Sequence, residues 1–137
     1  MNDRDAVVAA NRAFYEAFES LDISRMESVW LQDQRIVCIH PGWRKLLGWG
    51  PVMTSWERIF ESTFEMKFEL VDLEVIISGD LAVVIVEENL TQRGYDGVIR
   101  SQVLSTNAFE RVGDRWLMIL HHGSPVVQPE GDEPPLQ

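Results

Sequence analysis

The chain has 137 residues, the length of a single domain, and its formal net charge is −10. This acidic balance disfavours nucleic acids and anionic membranes as partners, and no apolar run approaches the roughly 20 residues that a membrane-spanning helix needs. The single cysteine, Cys38, excludes an internal disulfide, and a chain so poor in cysteine favours a cytoplasmic location.

Two helices are predicted at the N-terminus. Residues 3–20 place their apolar side chains three and four positions apart, which is the spacing of one helix face. The apolar stripe consists of Ala6, Ala10, Ala13, Phe14, Ala17, Phe18 and Leu21. Ser24 and Glu27 have the spacing of a capping box, so a second, short helix is predicted to begin near Ser24.

A short strand and a third helix follow. Residues 35–40 are short and rich in β-branched side chains, and they end at Pro41 and Gly42, which predicts a strand closed by a turn. After a loop that contains Trp49, Pro51 is well suited to be the first residue of a helix, because its missing N–H loses no partner there.

The remainder of the chain predicts a sheet. Four β-rich segments, residues 68–78, 81–91, 98–110 and 115–124, are separated by short turns that contain glycine and aspartate. Short turns favour an antiparallel meander, and the segregation of helices from strands favours an α+β fold. Residues 126–137 are acidic and rich in proline, which predicts a flexible tail behind one domain of residues 1–125.

Three segments resemble a known family. FESLDISRMESVW is similar to the turn between the first two helices of the nuclear transport factor 2-like superfamily. IVCIHPGWRKLLGWGPVMTSWERIF and STNAFERVGDRWLMILHHGSPV resemble the strand, loop and third helix, and the last hairpin, of its SnoaL-like, ketosteroid isomerase-like branch. The resemblance covers about residues 3–125. It implies a cone-shaped fold, with three N-terminal helices against a curved, mainly antiparallel sheet.

The resemblance also implies a pocket at the open end of the cone and a homodimer formed through the convex face of the sheet. A small apolar or aromatic molecule is the ligand expected in such a pocket. The sequence supports the covered outer face independently. Residues 82–86 are all apolar, whereas a strand with one face in water alternates apolar and polar side chains.

His40 is the candidate catalytic base. In the resemblance it falls where ketosteroid isomerases carry the aspartate that moves the substrate proton, and an imidazole suits proton transfer near neutral pH. A hydrogen bond to the loop backbone at the pocket mouth is the alternative. The oxyanion donors of that family are not reproduced, because Phe14 falls where it has a tyrosine and Ser105 falls near its protonated aspartate. Steroid isomerisation is therefore not expected. Tyr15, one residue from Phe14, is taken as a candidate ligand contact.

The last hairpin supplies further pocket candidates. If residues 113–114 form its turn, Ser105 pairs with His122, and Asn107 shares their face. That face matches the pocket face implied by the resemblance, and His121 falls on the opposite one. A one-residue error in the turn would exchange the two histidines. A structural hydrogen bond is the alternative role for His122.

Two other residue types are candidates for ligand contact. Glu87 and Glu88 interrupt an apolar strand, so one of them should face the pocket. The alternation leaves open which one, and Glu88 is taken as the candidate; exposure of both near a turn is the alternative. Trp43, in the loop after His40, is a candidate ligand contact, with a dimer contact as the alternative. Trp56, on the third helix, is also a candidate ligand contact, although a helix tryptophan is most often part of the core.

Two functional hypotheses follow. The first is a cone that binds a small, largely apolar molecule and acts as an isomerase, cyclase or dehydratase without a cofactor, with His40 as general base. The second is a non-catalytic domain whose function is association with other copies. No metal site is predicted, although a site formed by His40, His122 and a carboxylate is an alternative.

Overall fold

The computed structural model describes residues 1–127. Two helices, α1 (Asp3–Ser20) and α2 (Ile23–Val29), precede two short strands, β1 (Val37–Ile39) and β2 (Leu46–Leu47). Helix α3 (Trp49–Glu61) then leads into four long strands, β3 (Thr63–Ser78), β4 (Leu81–Gly94), β5 (Gly97–Val112) and β6 (Arg115–Pro125). The flexible tail predicted for residues 126–137 lies outside the described residues from residue 128 onward, so it stays a prediction.

The six strands form one sheet in the order β2-β1-β6-β5-β4-β3. Neighbouring strands are antiparallel except β1 and β6, which run parallel. Side chains from the three helices and from one face of the sheet form the buried core, which includes Phe14, Trp56, Phe109 and Met118. The predicted α+β architecture, with N-terminal helices against a mainly antiparallel sheet, is confirmed.

Several predicted boundaries are corrected. The cap of α2 is Asp22, whose side chain accepts the Ser24 N–H at 2.9 Å, so Ser24 does not begin the helix as a cap. Helix α3 begins at Trp49, and Pro51 lies inside its first turn, where backbone N–H groups have no intrahelical acceptor. The strand predicted for residues 35–40 is shorter, and the two-residue strand β2 was not predicted.

A β-bulge in the last hairpin overturns the predicted register. The turn lies where predicted, and Phe109 pairs with Met118. Beyond that pair the ladder shifts by one residue, because Ile119 is an extra residue between Met118 and Leu120. Asn107 therefore pairs with His121, and the predicted pairing of Ser105 with His122 is wrong.

Strand β4 shows which of its faces points inward. Ala82, Val84, Val86 and Glu88 are buried against the helices, whereas the alternate residues Val83, Ile85 and Glu87 lie on the outer face and are only partly buried. Apolar side chains thus occupy both faces of this strand. In residues 1–127, no helix is both long and apolar enough to cross a membrane.

Candidate functional site

A cavity of about 400 Å³ opens between the helices and the inner face of the sheet. Its apolar wall is formed by Phe18, Ile59, Met66, Leu90, Val103 and Pro125. His40, Glu88 and His121 also line the cavity and are almost fully buried, so they mark its inner end, whereas the exposed Trp43 marks its mouth. A larger hollow of about 670 Å³ beside Arg100 is wide open to solvent, and its ionisable side chains are exposed.

Glu88 supplies a carboxyl group at the inner end of the cavity. Its Oε2 accepts hydrogen bonds from Tyr15 Oη and, at 2.6 Å, from Ser105 Oγ. Burial raises the pKa of Glu88, and the two hydrogen bonds partly offset that rise. Because Oε2 already accepts two hydrogens, Oε1 is the oxygen left for a proton or for a ligand.

Asn107 connects this carboxyl group to a histidine. Its Nδ2 donates to Asn11 Oδ1 at 2.9 Å and to Tyr15 Oη at 3.1 Å, which uses both amide hydrogens. Its Oδ1 is 2.6 Å from His121 Nδ1 and can only accept, so Nδ1 donates. Tyr15 gives its single hydroxyl hydrogen to Glu88. One continuous buried network therefore joins His121 to Glu88, and it binds the donor hydrogens of Tyr15 Oη, Ser105 Oγ, Asn107 Nδ2 and His121 Nδ1.

This network fixes the tautomer of His121. With Nδ1 as donor, a neutral His121 carries its lone pair on Nε2, for which residues 1–127 provide no hydrogen-bond partner. Burial, together with smaller contributions from His40 and His122, lowers the pKa of His121 to about 3. His121 is therefore a neutral acceptor on the cavity wall at neutral pH.

A hydrogen bond also fixes the tautomer of His40, and its partner is Ser55. Ser55 Oγ donates to the Val52 carbonyl at 2.6 Å, so His40 Nε2, which lies 2.8 Å from that oxygen, must be the donor. The remaining Nδ1 has only a 3.9 Å contact with Cys38 Sγ. Burial lowers the pKa of His40 to about 4 and raises the pKa of the Cys38 thiol.

Two tryptophans pack edge-on against the His40 ring. The ring centroids of Trp43 and Trp56 each lie 4.7 Å from that of His40. Trp43 is 45% exposed and stands at the cavity mouth, with its backbone N–H donating to the His40 carbonyl at 2.8 Å. Trp56 is fully buried behind His40 and does not line the cavity. In the described part of the chain, its Nε1 has no hydrogen-bond partner.

The structure brings most of the predicted site residues together, with two corrections, Trp56 and His122. Trp56 is wrong as a ligand contact, because it is buried behind His40 and does not line the cavity. His40, Trp43 and Glu88 line the cavity. Tyr15, Ser105 and Asn107 lie one layer behind it, in the hydrogen bonds that hold Glu88 and His121. His122 is wrong as a pocket residue, because the bulge turns it to the outer face, where it is exposed and pairs with Thr106.

Sequence reasoning missed three residues of the site. His121 was assigned to the outer face, and only the bulge, which the sequence does not mark, reverses that assignment. Asn11 and Ser55 were not singled out, although each is a polar residue on an otherwise apolar helix face. A polar side chain in such a position needs a buried partner, which is the signal that could have found them.

The described residues do not support the alternative of a metal site. His40 and His122 lie on opposite sides of the sheet and cannot share an ion. In residues 1–127, no three histidine, cysteine, aspartate or glutamate side chains come together as a set of ligands.

Comparison with known proteins identifies the family. The model of the SnoaL-like domain matches residues 7–128, so the chain belongs to the SnoaL-like domain family. A solved structure from Streptomyces avermitilis, a candidate dehydratase of the NTF2-like family, is 36% identical, with a TM-score of 0.85 over 90% of this chain and 95% of that chain. The fold expected from the resemblance is confirmed.

Other relatives carry different descriptions. A candidate calcium/calmodulin-dependent protein kinase type II association domain from Thiobacillus denitrificans is 34% identical, with a TM-score of 0.78 over 87% of this chain and 94% of that chain. The F-box protein SKIP8 of Arabidopsis thaliana is 28% identical over 87% of this chain. The chain spans only 49% of the length of that curated relative.

Proposed function

We propose that the cavity binds a small, largely apolar molecule and performs acid–base chemistry on it without a cofactor, loss of water being the reaction that its groups fit best. The observation that carries this proposal is the position of Glu88 and His121 on one cavity wall, each with a free polar atom. A shared hydrogen-bond network holds both side chains rigid. Pre-organised groups of this kind are what acid–base catalysis requires.

The reaction would divide its proton transfers between these two residues. Glu88 Oε1–H gives its proton to a hydroxyl group of the substrate, the C–O bond breaks, and water leaves. His121 Nε2 takes a proton from the neighbouring carbon, and the C–H electrons form the double bond. Burial raises the pKa of Glu88, which favours the acid form, and it keeps His121 in the base form. The low pKa of His121 also makes it a weak base. Glu88 would therefore protonate the leaving hydroxyl group before His121 removes the proton from carbon.

His40 remains the second candidate base. It lines the same cavity, and its free atom is Nδ1, whereas that of His121 is Nε2. The variants His40→Gln and His121→Gln separate the two roles once a substrate is known. We expect His121→Gln to reduce kcat by about 100-fold or more, the usual contribution of a general base, and His40→Gln to act mainly on KM. The reverse result would make His40 the base.

The test of the function uses two adjacent glutamates. A panel of hydroxylated aromatic and polyketide-like compounds is screened by thermal shift, and each compound that binds is incubated with the protein and examined by mass spectrometry for loss of water. Glu88→Gln should abolish the reaction. Glu87→Gln, one residue away on the outer face, should leave it intact. Equal activity in both variants would eliminate the assignment of Glu88, and absence of binding across the panel would eliminate the pocket function.

A second candidate function is association between copies of the chain. Ile76 and Leu104 are exposed on the outer face of the sheet, next to the half-buried Val83 and Ile85, so this face offers an apolar surface. The 34% identical relative described as a candidate association domain favours the same reading. A homodimer through the convex face is compatible with a working cavity, because the two lie on opposite sides of the sheet.

A further inference from the structure

Apart from the hydrogen that the Glu88 carboxyl group carries in its acid form, the polar atoms that remain free at the inner end of the cavity are acceptors, and this limits what can bind there. Ser105 and Tyr15 both donate to Glu88 Oε2, and Asn107 donates to Asn11 and Tyr15. None of these donors is left for a ligand. The almost fully buried residues of the wall therefore leave free the lone pairs of the two histidines and Oε1 of Glu88, whereas Ser62, Gln92 and Ser101, which also line the cavity, are exposed or half-buried.

The charges around the cavity also limit which ligands can bind, because they disfavour an anion. In the described residues, the cavity wall contains neither lysine nor arginine. Arg44, Arg93 and Arg100 are each adjacent in the chain to a lining residue, but all three are exposed and none lines the wall. A carboxylate or phosphate ester would thus enter a buried site without a cation to pair with, beside a carboxyl group.

A hydroxyl group is the polar group that suits this inner end. Its hydrogen can be donated to His121 Nε2, and its oxygen can accept the hydrogen of Glu88 when Oε1 is protonated. An ether or a ketone can accept the Glu88 hydrogen but has no hydrogen to donate, so the lone pair of His121 Nε2 would be left without a partner. The apolar wall of Phe18, Ile59, Met66 and Leu90 suits the remainder of a compact ring system.

We propose that the ligand is a neutral alcohol or phenol with a compact apolar body, bound with its hydroxyl group inward as a hydrogen-bond donor to His121 Nε2. This inference rests on the proposed function of the cavity and names the ligand class of that site: an alcohol can lose water there, and a phenol is bound in the same way without reacting. When the hydroxyl group of an alcohol leaves as water, His121 Nε2 is released to take the proton from the neighbouring carbon. It predicts selection by donor capacity, so that masking the hydroxyl hydrogen or ionising the polar group weakens binding even when the apolar body is unchanged.

The test compares three ligands that share one ring system: 2-naphthol, 2-methoxynaphthalene and 2-naphthoate. Their dissociation constants are measured by isothermal titration with the full chain. The naphthol should bind about tenfold more tightly than the methoxy compound, the effect of one hydrogen bond with its acceptor otherwise left unpaired, and the naphthoate should bind more weakly still. His121→Phe should reduce the preference for naphthol to about threefold or less, whereas His122→Gln, on the outer face, should retain it.

The wild-type series alone decides the inference if His121→Phe fails to fold. Equal binding of naphthol and methoxynaphthalene, or tighter binding of naphthoate, overturns the inference and leaves a small-molecule cavity in place. Binding of none of the three also overturns it, and the proposed function is then judged by the separate comparison of Glu87→Gln with Glu88→Gln.

Discussion

His121 Nδ1 donates a hydrogen bond to Asn107 Oδ1 at 2.6 Å, between residues that pair directly across β5 and β6. Asn107 acts here as a positioning residue, because it fixes which ring nitrogen carries the hydrogen and where the other one points. Both amide hydrogens of Asn107 are used elsewhere, so its amide cannot rotate without breaking three hydrogen bonds. The orientation of the imidazole is therefore a property of the whole buried network.

Tyr15→Phe should destabilise the protein, because the change removes one donor to Glu88 and one acceptor for Asn107 in a buried region. We expect the free energy of unfolding to fall by about 1–3 kcal/mol, as measured by urea denaturation. Tyr95→Phe is the matched control, since Tyr95 is 77% exposed at a turn and its ring contact with Phe64 survives the change. Equal midpoints for the two variants would contradict a stabilising role for the network.

The stability of the protein should fall as the pH is lowered. In the folded protein, burial holds the pKa of His40 at about 4 and that of His121 at about 3. In the unfolded chain both histidines titrate near 6.5, so between these pH values the unfolded chain binds more protons than the folded protein. The contribution of these two histidines to the free energy of unfolding is complete above pH 6.5 and is lost as the pH falls to about 4 for His40 and about 3 for His121. The expected slope is about 2 kcal/mol per pH unit between pH 6 and pH 5. The raised pKa of Glu88 acts with opposite sign, because its contribution is lost as the pH rises.

Urea denaturation at a series of pH values measures this slope, and imidazole NMR signals report the two titrations separately. His121→Gln should reduce the slope by about half, since one of the two depressed groups is removed. Titration of either buried ring above pH 6 in the folded protein would disprove the explanation.

Gly94→Ala should be destabilising for a steric reason. An added Cβ at Gly94 would lie 2.6 Å from the Ser62 carbonyl oxygen, which is backbone and cannot rotate away. We expect a loss of about 1–3 kcal/mol in the free energy of unfolding. Gly50→Ala is the control, because nothing lies within 4 Å of the added Cβ and the position is helical. That variant should be unchanged or slightly more stable, so a parallel loss in both would refute the steric argument.

The outer face of the sheet should support a homodimer at micromolar concentration. Light scattering after size exclusion should give twice the chain mass for the wild type, and Leu104→Glu should give a monomer, because burying a further charge in the contact is costly. Ile99→Glu, with similar exposure on the same strand but the opposite face, should remain dimeric. A monomeric wild-type chain would remove the association function.

The predictable features of the fold are those that depend on local pattern. The apolar stripe located the first helix, and the glycine-containing turns located the four long strands, because both signals arise within a few neighbouring residues. The choice between Glu87 and Glu88 was not predictable. Both faces of β4 carry apolar side chains next to the two glutamates, so only the packing of the helices decides which face is inside.

The site was predictable only in part, for the same reason. His40 and Trp43 are adjacent in the chain to the turn that places them at the cavity, so local reasoning found them. Asn11 and Asn107 are 96 positions apart and meet only in the folded chain. The identity of the inward histidine depends on Ile119, and nothing in the residues around it distinguishes a bulge from regular alternation.

That bulge has a consequence for natural or engineered length variants of the last strand. Deleting Ile119 would convert the hairpin into an uninterrupted ladder in which Asn107 still faces His121, since the deletion removes only the unpaired residue. If instead the strand slipped into regular pairing with all its residues retained, Leu120 would face Asn107, and His122 would turn inward opposite Ser105. Either rearrangement leaves one imidazole on the inner face, so the consecutive histidines make its presence there insensitive to a shift of one residue.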